Sequence, residues 1–231
     1  CELCGQDQTK LLLRGRDRLS ESRDLFSVVS CKNCGLVYTN PQPIETKIFS
    51  YYPPEYGPYQ ETTWKEIGLN IGIMNEGQDY FSKLKNRIKG LILKEYYGYD
   101  SEKIFQIAIC GKQLPCRLKK FLLFPFFLYF KGIYYKIPKC QKEGKLLDFG
   151  CGNCGYLLLL QKMGWEAYGI DIMAPSSSLV QENPKIHIYT GDLLKQGLPQ
   201  KFFDLITMWH SLEHTLHPLA ILKESFRILK N

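Results

Sequence analysis

The sequence predicts an α/β chain: a doubly wound parallel sheet, cut short after its fourth strand, preceded by a small four-cysteine head and a helical linker region. Three observations carry this. Two Cys-x-x-Cys pairs lie within the first 34 residues, five prolines crowd positions 41 to 58, and beyond Lys145 short apolar runs alternate with helical periods. The last pattern is that of strand–helix units feeding a parallel sheet. We place the boundaries at 1–40, 41–140 and 141–231.

The head reads as strands around two turns, with Phe26, Val28 and Val29 leading into Cys31 and Leu36, Val37 and Tyr38 leaving Cys34. Cys1, Cys4, Cys31 and Cys34 form two knuckles, each followed by glycine. Four thiolates at about 2.3 Å from one ion make a closed tetrahedral Zn²⁺ site, so the expected role is structural. Redox-active turns are the plainer alternative. A nucleic-acid role is the sharper one, but the basic residues of the head are interleaved with acids and form no stripe.

The prolines at 41, 43, 53, 54 and 58 exclude a regular element through much of 40–59. Beyond them Phe81, Leu84, Ile88, Leu91 or Ile92 and Tyr96 recur at three- and four-residue steps, which predicts an amphipathic helix. No period is readable from 97 to 116. The run Phe121 to Phe130, FLLFPFFLYF, is ten residues long. As a helix it reaches about 15 Å, half of a hydrocarbon core, so it cannot span a membrane. We expect a buried helix or pocket lid broken at Pro125. The competing reading is peripheral membrane contact through 119–139, where lysines bracket the aromatic run.

In the last third we predict strand 145–149, helix 154–164, strand 166–171, helix 174–182, strand 186–190, strand 202–208 and helix 218–230. Leu219, Leu222, Phe226 and Leu229 share one face of the last helix. The chain stops after that helix, where such a sheet normally continues, so we expect a fragment. It also begins without Met, so no signal peptide is read and residues upstream are expected.

Composition bounds the rest. Of 231 residues 45% are hydrophobic and 23% charged, which excludes a disordered or collagen-like chain. The net charge of +7 is too small to require nucleic acid. Cysteine pairs of this spacing, rather than a secreted disulfide framework, point to a reducing compartment, hence the cytoplasm.

Leu146 to Gly155, LLDFGCGNCG, ends a strand and opens a helix. Gly150, Gly152 and Gly155 satisfy the dinucleotide pattern, and Asp171 follows 21 residues after Gly150, which keeps a nicotinamide-dependent oxidoreductase open. Asp148 argues against it. A carboxylate there is a like charge beside a pyrophosphate, whereas it suits a ligand with an ammonium at that end. The third pair, Cys151 and Cys154, sits in a tight turn with no partner pair, and we read it as packing.

At these residues the chain resembles the class I S-adenosylmethionine-dependent methyltransferases, with their Rossmann-like sheet. LLDFGCGNCGYLLLL, GIDI, Gly191-Asp192 and FDLITMWHSLEHTLHP carry the likeness, from about Gly144 to Lys230. The head and linker, with CKNCGLVYTNPQP and YYPPEY, resemble a subgroup headed by a zinc ribbon and associated with sugar or polysaccharide modification. The resemblance implies that Asp148, Gly150, Cys151, Gly152 and Gly155 face the methionine part of the cofactor. It implies that Asp171 accepts the ribose hydroxyls and Asp192 meets the adenine amino group, with Ile172 and Leu193 beside them. The family's third glycine usually falls where Cys154 stands, with Gly155 displaced by one.

His210, Glu213 and His214 follow the fourth strand, where ligands of open α/β sheets bind. Methyl transfer to a hydroxyl or an acidic C–H needs a base, and any of the three suits that role. A capping role for Glu213 and His214 is the plainer alternative. His210-Ser-Leu-Glu213-His214 also matches an inverted zinc-peptidase pattern, which lacks further ligands here. The expectation is a methyltransferase acting on O or C of a small acceptor, sugar or nucleotide sugar. Kept beside it are the oxidoreductase, an RNA methyltransferase, and an inactive zinc-ribbon binding module.

Overall fold

The structure, a computed structural model, describes residues 1–16, 24–51, 66–67, 77, 79–100, 115–134, 136–173, 180 and 183–230. In the head, β1 (Thr9–Arg16), β2 (Leu25–Cys31) and β3 (Val37–Thr39) form an antiparallel sheet in the order β1-β2-β3. Leu11, Leu12 and Leu13 of β1 stay about half exposed, while Val29 and Cys31 are the buried apolar side chains of the described head. A sheet with so small a core needs another source of stability. Residues Glu45–Tyr51, the proline-free part of the linker, form a 3-10 helix. Tyr51 donates to Asp24 at 2.7 Å and packs edge-on to Phe26.

The predicted amphipathic helix is α1 (Tyr80–Tyr97). Asp79 caps its start by accepting from the Ser82 N–H at 2.9 Å, and left-handed Gly98 ends it. Ile92 and Leu93 are fully buried, whereas Phe81 and Leu84 of the first turns are exposed.

The aromatic run does not behave as expected. It lies in α2 (Cys116–Tyr134), which runs through Pro125 without a break. Proline removes the N–H that would bond the Phe121 carbonyl, a loss water makes good on an exposed helix. Among its described side chains an inner stripe packs: Leu123 and Phe130 are buried, and Phe127 stacks on Tyr96 of α1 with ring centroids 4.4 Å apart. Phe121, Leu122 and Tyr129 point outward at 73, 55 and 82% exposure. The expected buried lid is therefore an exposed helix resting on α1.

The last third holds a four-stranded parallel sheet in the order β6-β5-β4-β7: β4 (Lys145–Phe149), β5 (Glu166–Asp171), β6 (Ile186–Thr190) and β7 (Leu205–Thr207). The first three match the predicted bounds. The fourth is shorter than 202–208, because Phe202 and Phe203 turn to hydrogen-bond the Ile228 carbonyl instead of β4. α3 (Gly155–Lys162) and α4 (Pro218–Ile228) are shorter than predicted; the predicted helix 174–182 lies outside the described residues except Val180.

Alternation along the strands separates two cores. Leu146 joins Leu157 to Leu160 of α3 and Ile92 and Leu93 of α1 on one face; Leu147 joins Ile170, Phe203, Ile221 and Ile228 on the other. α4 therefore buries Ile221, Ser225 and Ile228, and the face bearing Leu222 and Phe226 is turned outward. Asp204 locks the sheet's lower end. Its carboxylate accepts from Lys145 N at 2.9 Å, Gln141 at 2.8 Å and Lys230 Nζ at 2.9 Å.

Candidate functional site

The candidate residues gather at the carboxyl ends of β4 to β7, the crevice where open α/β sheets bind ligands. Register brings Asp148 of β4 level with Gly169 of β5 and Thr207 of β7. Asp148 is 4% exposed and accepts a 2.6 Å hydrogen bond from Thr207 Oγ1. Burial pushes its carboxyl up to about 7; the Thr207 hydrogen bond pulls the other way, and the nearby Asp171 charge adds to the rise. A buried carboxylate held this way favours a cationic neighbour.

The loop after Asp148 is shaped by two left-handed glycines, Gly150 (φ 77°) and Gly152 (φ 50°). A Cβ on Gly150 would come within 2.5 Å of Ser211 Cβ, so this position has neither the conformation nor the space for a side chain. Cys154 also sits left-handed, at φ 63°, where the resembled family usually places glycine. Asn153 caps the start of α3 by accepting from Gly155 N at 3.0 Å.

Cys151 and Cys154 lie with sulfurs 3.6 Å apart, both buried. A Cβ on Gly169 would meet Cys151 Sγ at 2.7 Å and Leu157 at 2.5 Å. Cys151 and Leu157 thus fill the space above Gly169 that lets α3 approach the sheet. That agrees with a packing role.

Asp171 ends β5 and is 7% exposed. It accepts from Gly152 N at 2.8 Å and Met173 N at 3.2 Å, tying the glycine loop to the strand beside it. A carboxylate offers about four acceptor positions, a donor-accepting chemistry that suits a diol. Ile172 follows at 42% exposure. Gly191 N donates to the Asp171 carbonyl at 2.7 Å, which seats Asp192 next to β5; its carboxylate caps the turn at Leu194 N, 3.0 Å. Leu193 is fully buried in the second core.

After β7 the chain passes Trp209 into His210, which takes the left-handed conformation at φ 52°. His210 Nδ1 lies 3.7 Å from Glu213 Oε1, and both side chains are exposed, at 86 and 59%. His214 stands on the same 3-10 turn, Leu212–His214, also exposed. The structure thus pairs His210 with Glu213. Gln42 of the linker donates to the Leu216 carbonyl at 3.3 Å, so the head's trailing segment touches this same turn.

Two contributors were missed in the sequence. Thr207 bonds Asp148 only because β7 lies beside β4, a pairing that no local period announces. Ser211, 9% exposed, closes against Gly150, and its neighbour His210 carries the bend that puts it there.

In the head the four thiols Cys1, Cys4, Cys31 and Cys34 lie with all sulfurs within 4.8 Å of one another. Cys1–Cys34 and Cys4–Cys31 are each 3.6 Å apart. A tetrahedron with bonds of about 2.3 Å has edges of about 3.8 Å, so the cluster fits one Zn²⁺. Cys4 is lowered to about 7, first by a backbone hydrogen bond from Gln6 and then by Asn33. For Cys34 the hydrogen bond from Leu36 lowers, but burial and the thiols of Cys4 and Cys31 outweigh it and the net direction is up.

Residues 112–231, just over half of the chain, match a family model described as a methyltransferase domain. Solved structures with partial likeness include the YcgJ protein of Bacillus subtilis, 24% identical over 45% of this chain and 47% of that one, with a TM-score of 0.39. A S-adenosyl-L-methionine-dependent methyltransferase of Methanococcus maripaludis is 17% identical over 68% and 64%, with a TM-score of 0.36. A third, a SAM-dependent methyltransferase of Archaeoglobus fulgidus, is 26% identical over 56% and 52%, with a TM-score of 0.32. The chain spans about half the length of the first solved relatives it matches. No curated protein matches it.

Proposed function

The chain belongs to the methyltransferase-domain family, and from that premise we propose that it is an S-adenosylmethionine-dependent enzyme that methylates oxygen or carbon of a small, sugar-like acceptor. The observation that carries the reading is the pair of buried carboxylates, Asp148 and Asp171, on either side of a glycine loop that excludes any side chain at Gly150. Asp148 holds the ammonium end of the cofactor, and a nicotinamide cofactor would set a pyrophosphate there instead. Asp171 receives the ribose hydroxyls, Gly150 to Gly155 line the amino-acid part, and Asp192 meets the adenine. Bound there, S-adenosylmethionine supplies an electrophilic methyl group on a sulfonium.

The proton leaves by the exposed turn. His210 removes it from the acceptor, and Glu213, 3.7 Å from Nδ1, stabilises the imidazolium that forms. His214 is the alternative base on the same turn. The head binds one structural Zn²⁺ through its four cysteines, which replaces the hydrophobic core it lacks. Thiols kept for a metal require reducing surroundings, and we place the protein in the cytoplasm on that ground. A sugar-like acceptor rests on the resemblance of the head and linker. Labelled S-adenosylmethionine incubated with a panel of nucleotide sugars tests it: transfer to at least one, abolished in His210→Ala, is expected. No transfer to any sugar, with transfer to another small molecule, removes the acceptor class and leaves the reaction.

A further inference from the structure

We propose that α2 is an interfacial helix by which this protein docks onto an anionic phospholipid surface. Between Leu118 and Tyr129 its outward face is apolar. Leu118, Phe121, Leu122, Pro125 and Tyr129, at steps of three and four, lie opposite the packed stripe of Leu123, Phe127 and Phe130, and Phe124, Phe126 and Leu128 widen that face at 45 to 53% exposure. Such an uncovered aromatic and aliphatic stripe is large for a water-facing helix.

The charge in and just beyond it is mostly positive. Between Glu102 and Glu143 the chain carries no acidic residue, while Arg117, Lys119, Lys120, Lys131, Lys136, Lys139 and Lys142 lie in or just beyond α2. Arg117, Lys120, Lys139 and Lys142 are exposed. Glu95 of α1 pairs with Lys119 at 3.8 Å, one carboxylate against this excess. Apolar residues at the centre with cations at the ends suit a helix lying in the headgroup layer, its rings in the acyl boundary and its cations among the phosphates.

A second copy would set these cations against themselves. RNA would stack its bases on such rings but calls for cations tracking the backbone beside each of them, whereas here the cations stand at the ends. Spanning is excluded: among the described residues no helix is long and apolar enough to cross a membrane. Beyond α2, Lys136 places its ammonium 5.8 Å from the Trp209 ring, and its carbonyl accepts from Tyr156 at 2.6 Å. A docked α2 is therefore one short connection from the turn that carries His210.

The test is cosedimentation of the full chain with vesicles, which needs no enzymatic activity and so stands or falls apart from the proposed reaction. Phosphatidylcholine vesicles containing about a third phosphatidylserine should bind it about tenfold or more better than phosphatidylcholine alone, and added salt should weaken binding. Phe121→Ser with Tyr129→Ser should lower binding about tenfold, with circular dichroism unchanged because both side chains are exposed. Arg117→Glu with Lys120→Glu should do the same. Absence of binding to anionic vesicles overturns the proposal, as does equal binding by both variants. Binding of single-stranded RNA without vesicle binding overturns it in favour of nucleic acid. Self-association that the serine variant abolishes, without vesicle binding, overturns it in favour of a second copy.

Discussion

Asp148 is the residue on which the cofactor reading turns. Burial pushes its carboxyl up to about 7, above the value of about 3.9 expected in an unfolded chain. A raised carboxyl binds its proton more tightly folded than unfolded, so this group's contribution to stability declines as pH rises from about 4 to about 7. A ligand ammonium reverses that preference. Affinity for S-adenosylmethionine should therefore rise with pH through about 7. Thr207→Val removes the hydrogen bond that lowers Asp148 and should move the midpoint upward, while Thr207→Ser restores it. Titrations of cofactor binding at several pH values read this directly; a midpoint unmoved by Thr207→Val would show that Thr207 has no part in setting the charge. Asp148 was legible because its sequence neighbours announce a strand entering a glycine loop. Thr207 was not, since its role depends on β7 lying beside β4.

At the scale of elements, local signals located what local chemistry controls. β4, β5 and β6 have the predicted bounds because each apolar run is short and closed by glycine or a turn. β7 and α2 escaped for opposite reasons: Phe202 and Phe203 continue the apolar run but pair with the end of α4, and the apolar run of α2 leaves its richest face outside the core. Asp204 joins β7 to the start of β4. Burial raises its carboxyl, but the Lys145 N–H and Lys230 outweigh this, and the net direction is down. Such a group stabilises above the unfolded value of about 3.9, and the contribution is lost as pH falls below it. Asp204→Asn should cost about 1–3 kcal/mol at neutral pH, and the difference from wild type in urea unfolding should shrink in acid. In the head, the proposed Zn²⁺ predicts that Cys4→Ser loses metal binding and unfolds β1 to β3 while the parallel sheet persists. Metal content and amide exchange of each region check this, and retention of one zinc by the variant would contradict it.

For the molecule as a whole, one sheet carries two cores, and its strand ends carry the candidate site. Its parallel order, its glycine loop and its carboxylates were readable because each has a fixed spacing along the chain. The contact between Gln42 and the Leu216 carbonyl, which brings the head's linker to the histidine turn, joins residues 174 positions apart and left no trace in any local pattern. The central claim is that those strand ends hold S-adenosylmethionine. Calorimetry of the 231-residue chain against S-adenosylmethionine and against NAD tests it most directly. The account predicts binding of the first and not the second, weakened at least about tenfold by Asp171→Ala, which removes charge-assisted hydrogen bonds worth about 1.5–3 kcal/mol each. Binding of NAD in preference, or S-adenosylmethionine affinity unchanged in a folded Asp171→Ala variant, would contradict it.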